Sequence, residues 1–142
     1  MLDRRQIAAL IPHQGSMCLL DEALSWDERG IRCRSRSHLD PANPLRRDGR
    51  LGIVCAIEYG LQAAALHGAL RDGAGQGPGY LAGLRDVAIA ADRLDDPALG
   101  TLAVSAKLAL RDAAGLIYDF LIASETGERL LAGRGTIVFS VP

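Results

Sequence analysis

Lysine is nearly missing from this chain. Lys107 is the only one among 16 basic residues, and the rest are arginine, an imbalance that reads as codon usage rather than chemistry. With 17 acidic residues the formal charge is −1, which leaves neither a nucleic-acid footprint nor a membrane-seeking surface. Cysteine is scarce as well. Cys18, Cys33 and Cys55 are widely spaced and form no C-x-x-C pair, so no metal-ligand pattern is present, and reduced, buried thiols in a cytosol are expected. No segment approaches the length of a membrane span. The opening "MLDRRQIAALIPHQG" carries Asp3 and lacks an apolar core long enough for a signal peptide. P-loop, G-x-G-x-x-G and nucleophile-elbow patterns are absent, so no metal and no nucleotide cofactor is expected. What remains is a chain of 142 residues, 49% apolar and 23% charged: one domain, 1–142, with enough length for a proper core.

Asp3 to Leu10 reads as a short helix stopped by Pro12, because proline cannot continue the hydrogen-bond ladder. Met17 to Trp26 reads as a strand. "IRCRSRSHL" alternates strictly, with Ile31, Cys33, Ser35 and Ser37 on one face and Arg32, Arg34, Arg36 and His38 on the other, a strand with one wet side. "DERG" between Trp26 and Ile31 predicts a hairpin. Asp40 to Gly52 is a loop rich in Pro, Gly, Asn and Arg, and Arg71 to Gly79 is a glycine-rich linker. After it come four strand patterns broken by "DDPALG", "DAAG" and "TGE", short connections that suit antiparallel hairpins. One long helix with a largely antiparallel sheet defines an α+β class.

That helix, "CAIEYGLQAAALHGAL" from Cys55 to Leu70, is apolar nearly all round, as expected of a helix wrapped by a sheet. It still carries Glu58 and Gln62, about 40° apart on one face, with Cys55, Tyr59 and Leu66 on the same side. His67 falls roughly opposite Glu58, so the two make no dyad on one helix. A carboxyl group buried there has its charged form disfavoured and is suited to moving protons near neutral pH. The alternative is an ion pair with an arginine of "LRRDGR".

Taken together, "LIPHQGSMCLLDEAL", "IRCRSRSHLDPANPL" and "IEYGLQAAA" resemble the hotdog-fold 3-hydroxyacyl-(acyl carrier protein) dehydratases. The subgroup found with aryl-polyene and fatty-acid-like gene clusters reads closest, through "NPLRRDGRL" and "HGAL". The resemblance implies a hotdog domain with Glu58 as the acidic half of a His/Glu dyad. Gln62 supports the site, with Gly52, Asn43 and Tyr59 assigned to substrate binding. The family's usual dyad histidine is missing between Asn43 and Glu58. His13 matches the family's "PHR" histidine; its other reading is a loop-anchoring hydrogen bond. His38 ends the alternating strand just ahead of the expected position; its other reading is a solvated strand end. In the implied mechanism a histidine takes the C2 proton of a 3-hydroxyacyl thioester, Glu58 protonates the leaving hydroxyl, and backbone N–H groups near "LGIVC" face the thioester oxygen. Gly52 would allow close approach there.

The resemblance also implies cytoplasmic work on an acyl carrier protein or acyl-CoA thioester, in a homodimer or larger assembly, with no cofactor, nucleic acid or membrane partner. Two other readings stay open on the same fold: an acyl-thioester hydrolase, and a non-catalytic subunit paired with an active hotdog partner. The missing loop histidine favours the second of these. Arginines of "RSRSH" and "NPLRRDGR" suit an acidic carrier protein or a CoA phosphate, or simply form a solvated face.

Overall fold

The structure is a computed structural model that describes residues 1–11, 15–73 and 79–139. Its elements are β1 (Leu2–Asp3), α1 (Arg4–Leu10), β2 (Glu22–Trp26), β3 (Gly30–Ser35), α2 (Ala56–Asp72), β4 (Gly79–Ile89), β5 (Leu102–Arg111), β6 (Gly115–Ala123) and β7 (Arg129–Phe139). Asp3 starts α1 with a reciprocal cap: its carboxylate accepts the Gln6 N–H at 3.0 Å, and the Gln6 side-chain carbonyl accepts the Asp3 N–H at 2.9 Å. The strands form one sheet in the order β1-β2-β3-β5-β6-β7-β4, and every pairing is antiparallel.

The sheet wraps α2, which buries Ala56, Tyr59, Gly60, Gln62, Ala63, Ala64, Leu66 and His67. Leu102, Val104 and Ala106 of β5 and Tyr118, Phe120 and Ile122 of β6 are also buried, each set at period two. At Gly60 the helix lies so close to β6 that a Cβ would sit 2.7 Å from the Phe120 ring. Against the expectation that no segment reaches the length of a membrane span, Ile53–Asp72 is long and apolar enough to cross one; here it is the central helix under the sheet.

Several sequence expectations are met: the short first helix, the Trp26↔Ile31 hairpin, the inward face of Ile31, Cys33 and Ser35, and the hairpins β5–β6 and β6–β7. Others are corrected. The expected strand from Met17 shortens to Glu22–Trp26, because Cys18, Leu19 and Leu20 dive into the core instead of pairing in the ladder. β3 stops at Ser35, so His38 lies in a single 3-10 turn, Ser37–Leu39, and not on the arginine face. The helix runs on through Arg71 and Asp72, where Asp72 pairs with Arg71 at 2.6 Å and Arg111 at 3.1 Å; residues 74–78 of the glycine-rich linker lie outside the described residues.

β4 and β5 do not form the expected hairpin. β4 pairs with β7 and β5 with β3. The reason lies in where the connecting backbone finds its partners. Ile53 N–H donates to Asp92 C=O at 3.1 Å and Leu94 N–H to Leu51 C=O at 2.8 Å. The connection is thus fastened across the start of α2. β4 becomes a sheet edge whose residues Tyr80 to Ala90 are all exposed, with Tyr80 and Ile89 each 56% open.

Candidate active site

The polar groups of α2 divide into those that are bonded and one that is not. Gln62 is fully buried. Its carbonyl accepts the Leu19 N–H at 2.9 Å, and its amide donates to the Met17 carbonyl at 2.6 Å. It clamps to the helix the segment that follows Pro12–Gln14. His13 lies in that preceding stretch, outside the described residues.

Tyr59, also fully buried, ends in a network. Asn43 Nδ2 donates to its hydroxyl at 3.1 Å and to the Ser37 carbonyl at 2.8 Å. The Tyr59 hydroxyl meets Ser37 Oγ at 2.8 Å, and Ser37 and Ser35 both donate to the Leu19 carbonyl, at 2.7 and 2.5 Å. Asn43 Oδ1 accepts the Leu45 N–H at 2.9 Å. Burial raises the Tyr59 phenol above its ordinary value, against the hydrogen bonds from Ser37 and Asn43. Asn43 and Tyr59 therefore hold the loop after β3 onto the helix. The two serines, which sequence reasoning missed as site residues, were visible in it as the polar continuation of the inward face Ile31–Cys33.

His67 is fully buried on the far side. Its Nε2 meets the Asp27 carbonyl at 2.8 Å and its Nδ1 the Tyr118 hydroxyl at 2.6 Å. A carbonyl can only accept, so Nε2 carries the proton, and the neutral ring accepts from Tyr118. The rings meet edge to face at 5.6 Å, and burial pushes the Tyr118 phenol up to about 12. Both nitrogens of His67 are thus committed.

Glu58 is different. It is half-buried, and among the described residues it makes no hydrogen bond and no ion pair. The arginine partner that would have explained it is not there among those residues. Cys55, one turn earlier, is likewise half-buried, and its thiol is raised first by burial, then by the Glu58 charge, with Arg47 opposing. Glu58, Cys55 and Arg47 therefore share one neighbourhood at the start of α2.

Of the five amides in "LGIVC", Ile53 and Cys55 have backbone acceptors among the described residues. Besides Ile53, Cys55 N–H donates to Gly52 C=O at 3.1 Å, and Ala56 N–H to the Ile53 and Val54 carbonyls. Gly52 itself has φ −67°, and a Cβ there would meet nothing. Neither its backbone nor packing among the described residues requires glycine.

His38 is completely buried, and neither ring nitrogen has a hydrogen-bond partner among the described residues. The Gly100 backbone and Asp21 lie near enough to favour the charged ring, but burial outweighs them, with Arg36 and Arg46 adding to it, and its pKa falls below the ordinary 6.5. No hydrogen bond joins it to Glu58. Two open hollows, of about 560 and 450 Å³, lie on the outer sheet face, and neither is lined by any residue of α2.

One long helix wrapped by a seven-stranded antiparallel sheet defines the hotdog fold. A family model described as ApeP-like, ApeP dehydratase, matches residues 5–140, and the chain belongs to that family. Among solved structures it is similar to the dehydratase heterocomplex ApeI:P from Xenorhabdus doucetiae, with TM-score 0.77 and 22% identity over 99% of this chain and 93% of the other. It is also similar to a mutant of thioesterase PA1618 from Pseudomonas aeruginosa, with TM-score 0.69 and 12% identity over 97% and 94%. A third is thioesterase HI1161 from Haemophilus influenzae, with TM-score 0.68 and 12% identity over 97% and 90%. No curated protein matches the sequence.

Proposed function

We propose that this chain, acting as a single hotdog domain in the cytoplasm, is a hydro-lyase that removes water from 3-hydroxyacyl thioesters of an acyl carrier protein or CoA, in fatty-acid-like or polyene biosynthesis. The observation that carries the reading is Glu58. Gln62, Tyr59, His67, Arg71 and Asp72 on the same helix all have partners, and Glu58 alone among these is left without one, among the described residues, in a chain of the dehydratase family. A protonated Glu58 gives its proton to the leaving 3-hydroxyl as a histidine takes the C2 proton. His13 and His38 are the candidates for that base. Gln62, Asn43 and Tyr59 position the surrounding segments, and Gly52 leaves room for the thioester.

Glu58→Gln tests this directly. The amide keeps the size of the side chain but cannot supply the proton. Turnover of 3-hydroxyacyl thioesters is expected to vanish while circular dichroism stays that of the wild type. Retained turnover would remove Glu58 from the acid role.

A second reading is supported by a specific observation. Of the two described histidines, His67 is committed on both nitrogens and His38 is sealed in the core, and the similar ApeI:P structure is a heterocomplex. In that reading the chain pairs with another hotdog subunit that supplies the base. Assaying dehydration with the protein alone and mixed with a hotdog dehydratase subunit separates the two. Thioester hydrolysis, the activity named for two of the structural neighbours, is followed in the same assay by release of free thiol.

A further inference from the structure

Beside Glu58 the loop between β3 and α2 ends in a tight hairpin. Arg47 N–H donates to Arg50 C=O at 2.8 Å and Arg50 N–H to Arg47 C=O at 2.9 Å. Asp48 and Gly49 between them have φ +51° and +74°, the two left-handed residues of a type I′ turn. Residues joined in this way project to the same side of the ribbon, so the two arginine side chains leave the hairpin on one side, both exposed.

Like charges placed directly opposite each other are destabilising, and among the described residues neither Arg47 nor Arg50 makes an ion pair or a side-chain hydrogen bond. The neighbouring arginines are treated otherwise. Arg93 grips Asp95 through two hydrogen bonds of 2.8 and 2.7 Å. Arg46 reaches Asp95 at 3.5 Å and also donates to the carbonyls of Asp40, Gly49 and His38 at 2.9, 2.9 and 3.0 Å. Arg46 thereby fixes the hairpin through Gly49, while the two arginines flanking the tip make no ion pair among the described residues, not even with the Asp48 carboxylate between them. The tip lies near the site: the Cys55 thiol, one turn before Glu58, feels the Arg47 charge as well as that of Glu58, and its Sγ is 3.9 Å from the Leu45 carbonyl at the root of the hairpin.

We propose that Arg47 and Arg50 form a phosphate-binding clamp for the pantetheine arm that carries the acyl thioester. The inference rests on the reading of Glu58 as a thioester site. A planar guanidinium offers forked donors that match phosphate oxygens. A hairpin closed by two backbone hydrogen bonds presents two of them from one side, with less ordering cost than a loose loop would add. The phosphate removes the repulsion between the arginines that the free chain tolerates.

The test compares one 3-hydroxyacyl group on three carriers: acyl carrier protein, CoA, and N-acetylcysteamine, which has the thioester but no phosphate. In the R47Q/R50Q variant the KM for both phosphate-bearing carriers is expected to rise about tenfold with kcat held, the mark of lost uniform binding to charged groups. The preference for those carriers over N-acetylcysteamine narrows by the same factor, and R47K/R50K restores part of it. Salt reduces the wild-type preference in the same direction. A loss on both carriers assigns the contact to the shared pantetheine phosphate, and a loss on CoA alone assigns it to the nucleotide phosphates and overturns the pantetheine clamp. Equal losses on all three carriers, or none, would overturn it as well. If the wild type turns over none of them, the dehydratase reading fails by itself. The clamp is then decided by calorimetric titration with 4′-phosphopantetheine, which has the arm and its phosphate but no nucleotide: weaker binding in R47Q/R50Q upholds it, and equal affinity overturns it.

Discussion

Glu58 and Gln62 lie one turn apart on α2 and meet different fates. Gln62 satisfies both ends of its amide on the backbone of Met17 and Leu19, so it is a buried polar group of the ordinary, paired kind. Glu58 has no such partner among the described residues, and a half-buried carboxylate left that way is available for chemistry. The base that serves it is decided by substitution. His13→Ala is expected to cost about 10²- to 10⁴-fold in turnover if His13 is the base, with His38→Ala milder. If neither change lowers the rate in an active assembly, a histidine of another subunit is the base. Gly60 makes a packing prediction at the same scale. Gly60→Ala sets a methyl group 2.7 Å from the Phe120 ring and is expected to destabilise by about 1–3 kcal/mol. The midpoint of denaturant unfolding reads the loss, and an unchanged midpoint would mean that β6 moves away freely.

Among the elements, β4 is the one left unfinished. It is an 11-residue edge strand with Tyr80, Leu81, Leu84, Val87 and Ile89 exposed. Long apolar edges are normally blunted or covered. Here bulges at Leu81/Gly83 and Arg85/Ala88 and the charged pair Arg85–Asp86 interrupt it. An assembly through this strand is the expected use of it, either with a second copy or with another hotdog subunit. Leu84→Lys with Ile89→Lys is expected to shift the light-scattering mass toward the 15.1 kDa of one chain while leaving the far-ultraviolet spectrum intact. A wild-type protein that is already a lone chain at micromolar concentration would count against the assembly.

For the whole molecule, the most telling buried group is His38. Its folded pKa lies below 6.5, chiefly through burial. Above pH 6.5 the ring is neutral in both the folded and the unfolded chain, and its contribution to stability is fully present. As pH falls below 6.5 the unfolded chain binds a proton that the folded chain resists, so stability is lost down to the depressed pKa. The thermal midpoint is therefore expected to fall between about pH 7.5 and about pH 5, the range that brackets the ordinary histidine pKa. His38→Gln should flatten that slope, since glutamine does not titrate. Identical slopes in the two proteins would show that the proton is taken up elsewhere.

The sequence by itself determined what depends on near neighbours. The run from Asp3 to Leu10 marks the first helix, "DERG" marks the Trp26–Ile31 hairpin, the alternation through Ile31, Cys33 and Ser35 marks the inward face of β3, and the apolar run around Glu58 marks a core helix with a carboxylate in it. Caps, turns and periods of about 2.0 or 3.6 residues are properties of a few adjacent residues. Tertiary structure alone decided the rest. It paired β4 with β7 instead of β5, because the connection between β4 and β5 spends its backbone hydrogen bonds on Leu51 and Ile53. It ended β3 at Ser35 and sealed His38 in the core. It gave Gln62 its partner 43 residues away at Leu19, neutralised Arg46 and Arg93 with Asp95, and left Glu58, Arg47 and Arg50 without partners among the described residues. Which polar group is satisfied, and which is left free to act, depends on what the chain brings together from far along its length, and no local pattern carries that information.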